Sequence, residues 1–282
     1  MNRKEREKFD LHTGKIKLTP EEIKKREERE RARKIEVRNR VLIILSSLII
    51  VILLIFGISY YNNLKAKIAK EMEGAPPNVS KPTKGEIEEI KKELVVLETT
   101  MGTIKIELYP EAAPLTVNNF RRLVKEGFYN GKIFHRVIND FMIQTGGYTQ
   151  KGLDDVGYKF KDEINPKALG LSDQEISTLE QKGYKFDYSL PSIKLERGVV
   201  AMANAGPNTN SSQFFIITAK DGTPWLNGMH TGFGKVVEGM EVADKIQKVK
   251  TYKNDKDPND VNNDKPLTDV IITKAYIEQR KK

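Results

Sequence analysis

Apolar and polar positions divide the chain into stretches of different texture. Residues 41–58 read VLIILSSLIIVILLIFGI without a charge, and Tyr60 and Tyr61 follow. A helix from Val41 to Tyr61 would span roughly 31 Å, enough for the hydrocarbon core of a bilayer. Ser46 and Ser47 can bond to the preceding helical turn, so they do not argue against it. A buried core helix is disfavoured because the run is apolar on every face. A cleaved signal peptide is disfavoured because the run is long and a polar stretch of forty residues precedes it. The pattern predicts an uncleaved transmembrane helix over 41–61.

Residues 62–93 predict a stalk. Residues 62–73 can continue the helix, and GAPPNVSKPTKG at 74–85 breaks it into a proline-stiffened linker. The texture changes again at Leu94. Leu94–Thr99 and Thr103–Leu108 flank Thr100-Met101-Gly102, a hairpin signal. Pro114 to Gly127 predicts a helix, with Val117, Phe120, Leu123 and Val124 on one face. Short strands are expected at 133–138, 141–144, 198–203, 213–218 and 232–237, a second helix at 239–248 and a last strand at 268–277. Many short strands with two helices make the domain mainly β. Barrel and sandwich stay open on this pattern alone.

Charge changes the picture only near the N-terminus. The chain carries +9, but residues 1–40 hold 15 Lys/Arg against 9 Asp/Glu, a local +6. The charge-mixed stretch 20–38 predicts a solvated helix or a disordered tail, with its Lys/Arg able to meet anionic lipid heads. No aromatic stacking residues accompany it, so no nucleic-acid partner is expected. Residues 21–40 hold nine Lys/Arg and residues 61–80 three. That bias predicts a cytoplasmic tail over 1–40 and an extracytoplasmic domain beyond Tyr61. The chain has no cysteine. Disulfides, thiolate metal sites and a cysteine nucleophile are thereby excluded.

Two segments carry the chemistry: FHRVINDFMIQ at 134–144 and MANAGPNTNSSQFF at 202–215. Trp225-Leu226-Asn227-Gly228-Met229-His230 and Phe233-Gly234-Lys235-Val236 follow in order. Together they resemble the cyclophilins, the cyclophilin-type peptidyl-prolyl cis-trans isomerases, over roughly residues 94 to 278. With the apolar run, the chain looks like a membrane-anchored, bacterial-like member. The resemblance implies a closed eight-stranded antiparallel barrel capped by two helices, here preceded by the single transmembrane helix. It implies an isomerase domain over 94–278, with an insertion at about 164–196.

Turning an X-Pro bond breaks no bond, so neither nucleophile, metal nor cofactor is required. Shortening tens of seconds to about a millisecond takes ~10⁴–10⁵-fold, roughly 6–7 kcal/mol off the barrier. One charge-assisted hydrogen bond gives only about 1.5–3 kcal/mol. The cation must therefore act in a dry, preorganised pocket matched to the twisted amide. The resemblance makes Arg136 the catalytic residue, whose fork can donate toward the proline nitrogen. It assigns the proline pocket to Phe141, Met142, Phe215, Leu226 and His230. It places Gln144 and Gln213 in hydrogen bonds around the arginine and the substrate. It sets Asn204, flanked by Ala203 and Ala205, against the extended peptide backbone. Phe214 and Phe215 adjoin, so they face opposite ways. Trp225 matches the position associated with cyclosporin contact, which implies cyclosporin binding. His135 is read as structural, since the reaction transfers no proton.

Two stretches depart from the family. Thr145-Gly146-Gly147-Tyr148 stands where many members read Gly-Gly-Asp. The insertion contains a capping box, Ser172 with Glu175, that predicts a short helix over 173–182. That helix either extends the groove and alters client choice or packs on the barrel. The acidic stretch 254–264 lacks the central Gly and terminal Glu of a calcium loop and reads as a polar loop. The function expected is isomerisation of X-Pro bonds in translocated proteins at the outer face of the membrane. The expected partners are proline-containing polypeptides and, through 41–61, the lipid bilayer. A proline-peptide-binding chaperone or scaffold with little turnover is the alternative.

Overall fold

The computed structural model of the chain describes residues 80–280 apart from 259 and 261, together with scattered positions between 9 and 39. The chain divides into two units, Met1–Lys67 and Ile68–Lys282. In the first unit Phe9–Asp10 pairs antiparallel with Lys15–Ile16. The described positions between 21 and 39 are helical and exposed. Glu21 and Lys25 form an ion pair there at 3.2 Å.

In the second unit helix α1, Lys84–Ile90, lies inside the segment expected as a stalk. Thr83 accepts from the Glu86 amide while Glu86 reaches back to Thr83, a reciprocal cap. Strands β1 (Glu93–Thr99) and β2 (Gly102–Leu108) form the expected hairpin. Helix α2 (Pro114–Lys125) follows. Then come β3 (Arg136–Ile138), β4 (Met142–Thr145) and the small hairpin β5 (Tyr148–Thr149) and β6 (Gly152–Leu153). Helix α3 (Asp173–Gln181) is the inserted helix, and both halves of its Ser172–Glu175 capping box form. Strands β7 (Val199–Met202), β8 (Phe214–Ile217) and β9 (Gly232–Glu238), helix α4 (Met240–Ile246) and strand β10 (Ile272–Gln279) complete the unit.

Eight strands form one antiparallel sheet in the order β10-β1-β2-β9-β7-β8-β4-β3. Register shifts in β9, at Gly232/Gly234 and Val236/Glu238, help the sheet curl. The expected closed barrel is corrected to a curled half-barrel, because no strand ladder joins β3 to β10. The short β3 turns the Val137 N–H to the carbonyl of Asp264, 2.8 Å away, instead of to a strand. Only the chain entering β3 meets β10, where Gly131 N–H donates to Ile272 O at 2.7 Å.

The concave side holds an aromatic centre. The Phe120 ring of α2 lies 5.0–5.1 Å from the rings of Tyr129, Phe214 and Phe233. These four, with Val137, Ile143, Val200 and Ile216, belong to the main buried cluster. Helix α2 starts at Pro114 on Ala113, which offers no capping side chain. Buried Glu163 supplies the cap from 48 residues away, accepting from Leu115 N at 3.0 Å and Thr116 N at 2.8 Å. The carboxylate thereby meets the amides that the first helical turn leaves unpaired.

The expected transmembrane helix over 41–61 lies outside the described residues. Among the described residues no helix is long and apolar enough to cross a membrane. The twelve-residue α2 would reach only about 18 Å, against the roughly 30 Å needed.

Candidate active site

Strand register alone gathers the centre of the site. Arg136 of β3 pairs with Gln144 of β4, Gln144 with Phe215 of β8, and Phe215 with Ala201 of β7. Directly paired residues in an antiparallel sheet share a face. The next row on that face is Ile138, Met142 and Ile217. The intervening row, Val137, Ile143, Ile216 and Val200, points into the main core. One face of this sheet segment therefore fills the half-barrel, and the other carries the candidate chemistry. Phe214 and Phe215 divide between the two faces as their adjacency predicts.

The outer face has its own apolar cluster. Met142, Ala201, Phe215 and Ile217 are buried there, and Phe141, Ala203 and Leu226 pack against them. The His230 ring stands edge-on to Phe215 at 5.3 Å and 88°. Its Nδ1 lies 2.9 Å from Met202 O, so that nitrogen carries the proton and donates. Burial pulls the His230 pKa down, which keeps the ring neutral. Trp225, 60% exposed, places its ring 6.1 Å from that of Phe141.

The polar side is built by amides. Gln144 Nε2 donates to Gln213 Oε1 at 3.0 Å. Gly147 has no side chain for a reason of space: a Cβ there would overlap the Gln213 side chain. Ala203 N donates to Gln213 O at 2.9 Å, and Asn204 Nδ2 to Met229 O at 2.9 Å. Ala205, exposed on the adjoining turn, donates its N–H to Thr209 Oγ1 at 2.8 Å. Arg136 keeps 45% of its side chain exposed. The twelve residues expected at the site thus fall along one face and its border.

Three neighbours have no signal in the sequence. Asp264 Oδ2 lies 3.8 Å from Arg136 Nε, and its other oxygen meets Lys253. It ends the acidic stretch expected to be only a polar loop, and 128 residues of chain hide the pairing. Asp162, pushed up in pKa by burial, accepts from Asn208 N at 2.7 Å and Asn210 Nδ2 at 2.8 Å. It thereby staples the turn after Asn204, where Asn208 takes φ 57°. Leu195, from the end of the insertion, is buried in the outer cluster.

His135 is held by packing and burial, beside the site glutamine Gln213. Its ring packs on Tyr148 at 4.5 Å, and its buried Nδ1 has no hydrogen-bond partner among the described residues. Burial lowers its pKa from 6.5 to about 4. The folded state therefore prefers the neutral ring. This stabilisation is complete above pH 6.5 and is lost as pH falls toward 4, by about 3 kcal/mol. Urea midpoints between those pH values are expected to fall for the parent protein and to flatten for His135→Gln. An equally steep profile in the variant would assign the acid sensitivity elsewhere.

The sequence model of the family described as "Cyclophilin type peptidyl-prolyl cis-trans isomerase/CLD" matches residues 94–277. The chain is 45% identical over 169 residues to "Peptidyl-prolyl cis-trans isomerase-like 1" of Rhizopus delemar, covering 59% of this chain and 87% of that relative. It is 46% identical over 165 residues to "Peptidyl-prolyl cis-trans isomerase ppi1" of Schizosaccharomyces pombe, covering 57% and 90%. A crystal structure of a Cryptosporidium parvum cyclophilin type peptidyl-prolyl cis-trans isomerase is 28% identical, with a TM-score of 0.49, covering 67% of this chain and 99% of that one. The family assignment rests on the first three of these matches. The family model and these relatives define a peptidyl-prolyl isomerase domain. The chain belongs to the cyclophilin-type peptidyl-prolyl cis-trans isomerases, and the activity is that of the family.

Two expectations are corrected by these relatives. Both are fungal, so the bacterial-like, membrane-anchored kinship is not supported. The expected address was a single-pass cell-membrane protein with a cytoplasmic N-terminus and an extracytoplasmic isomerase domain. It is withdrawn, because the relatives matched are of the peptidyl-prolyl isomerase-like 1 and ppi1 type; the segment 41–61 itself lies outside the described residues. These relatives show the isomerase activity and not a folding role at the outer membrane face.

Proposed function

We propose that this face turns X-Pro bonds in polypeptide clients, with Arg136 as the catalytic donor. The observation that carries the reading is the row Arg136–Gln144–Phe215, which sets a half-exposed guanidinium beside a buried apolar cluster. The proline ring enters among Phe141, Met142, Phe215, Leu226 and His230. The Arg136 fork donates toward the proline nitrogen as the amide twists and its lone pair returns. Gln144 and Gln213, bonded to each other, fix polar groups next to that fork. The backbone at Asn204 receives the extended client, since the small side chains of Ala203 and Ala205 admit a second backbone. Trp225, exposed at the border, supplies an indole N–H to cyclosporin.

The test is exchange NMR on an Ala-Pro peptide with the full chain, with and without cyclosporin. Exchange is expected to shorten from tens of seconds toward about a millisecond and to slow again with the drug. Saturable peptide binding without accelerated exchange would replace this reading with that of a proline-binding chaperone or scaffold.

A further inference from the structure

The insertion and the loop bearing Trp225 enclose a second groove of roughly 510 Å³, inside the range of about 300–1,000 Å³ common to ligand sites. Leu171 and Leu179 line it from the insertion, and Trp225 and Met229 from the loop. The two parts fit closely. A Cβ on Gly228 would lie 2.6 Å from Leu179 Cδ1 and 2.9 Å from Leu171 Cδ2. Helix α3 thus buries Ile176 and Leu179, while Gln174, Thr178 and Lys182, four residues apart, stay exposed along the groove.

The buried stripe of α3 packs on the domain, and its polar stripe borders the groove. Trp225 belongs both to this groove and to the border of the proline pocket, 6.1 Å from Phe141. Trp225 therefore joins the two, within reach of a chain whose proline sits beside Phe141. The groove has an apolar floor of Leu171, Leu179, Trp225 and Met229 and a polar margin that holds Lys182 and Lys194. Lys182 and Lys194 are exposed and make no ion pair among the described residues. The Glu175 carboxylate also borders the groove and accepts from Ser172 N and Oγ at 2.8 and 2.6 Å through one oxygen, so the rim sets two ammonium groups against one carboxylate.

We propose that this groove is a second subsite of the isomerase, taking an apolar side chain with an acidic neighbour from the client segment that flanks the target proline. The inference rests on the proline pocket described above and names the clients that pocket prefers. The full chain would be assayed by exchange NMR on a short Ala-Pro tetrapeptide and on longer peptides of the same core. The longer peptides carry Leu-Glu four residues before or after the proline. One of the two registers is expected to raise kcat/KM by about tenfold, close to 1.4 kcal/mol. Thr178→Phe, which fills the groove, and the pair Lys182→Glu with Lys194→Glu are expected to abolish that advantage and leave the tetrapeptide rate unchanged. Equal rates for short and long peptides in both registers, or an advantage that survives these changes, would overturn the subsite.

Failure of the isomerase reading itself would show as no turnover of the tetrapeptide. The groove is then judged by Trp225, the single tryptophan of the chain. A long Leu-Glu peptide with alanine in place of proline is expected to shift its fluorescence saturably, and the double lysine reversal to remove the shift. No shift would sink the subsite on its own account.

Discussion

Arg136→Ala is expected to lower kcat/KM for a proline peptide by about 10²–10³-fold, the loss typical of removing one preorganised donor. That corresponds to roughly 2.7–4 kcal/mol, out of the 6–7 kcal/mol that millisecond turnover requires. The remainder stays with the apolar face, where Met142 and Phe215 are buried at 2% and 4% exposure. The loss should fall on kcat, because the proposed bond forms with the twisted amide rather than the planar one. Arg136→Lys keeps the charge and loses the fork, and is expected to lie between parent and alanine. Exchange NMR for the rate and a peptide titration for affinity separate the two effects. A variant that loses affinity but turns over bound peptide at the parent rate would reduce Arg136 to a binding residue.

Phe120→Ala is expected to cost about 3–5 kcal/mol of stability, the range for deleting a fully buried aromatic side chain. Phe120 is 1% exposed and is the common neighbour of Tyr129, Phe214 and Phe233. Its removal leaves three rings facing one cavity. A domain of this size is stable by only about 5–15 kcal/mol, so the urea midpoint should drop sharply. The site lies on the opposite face of the sheet from this cluster. Turnover by the molecules that remain folded should accordingly stay near that of the parent. A loss below about 1 kcal/mol would mean the three rings close the gap, contrary to the packing described.

Local chemistry carried most of what was legible in the chain. The Ser172–Glu175 box marks α3 because both bonds form within four residues. The Phe214–Phe215 split follows from strand alternation and needs no knowledge of the fold. The four motifs name the candidate site residues because each lies on one short segment. What stayed hidden is what the chain brings together over distance. Glu163 caps a helix 48 residues away, and nothing near either partner announces the other. Asp264 reaches Arg136 from the last loop. The opening between β3 and β10 is not legible in the motifs, because resemblance transfers the family's usual barrel whereas closure depends on individual backbone bonds. The α1 helix lies where Gly85 and nearby prolines read as linker, and its only local mark is the Thr83–Glu86 cap.

The bond from Val137 N–H to Asp264 O also matters beyond catalysis. A half-barrel that stops short of closure presents a margin where backbone groups could recruit a strand from another molecule. Here the loop lies across that margin and occupies a donor that a stray strand would need. Shortening that loop would bare the donor to a strand from another molecule, a change light scattering would read as a rise in association.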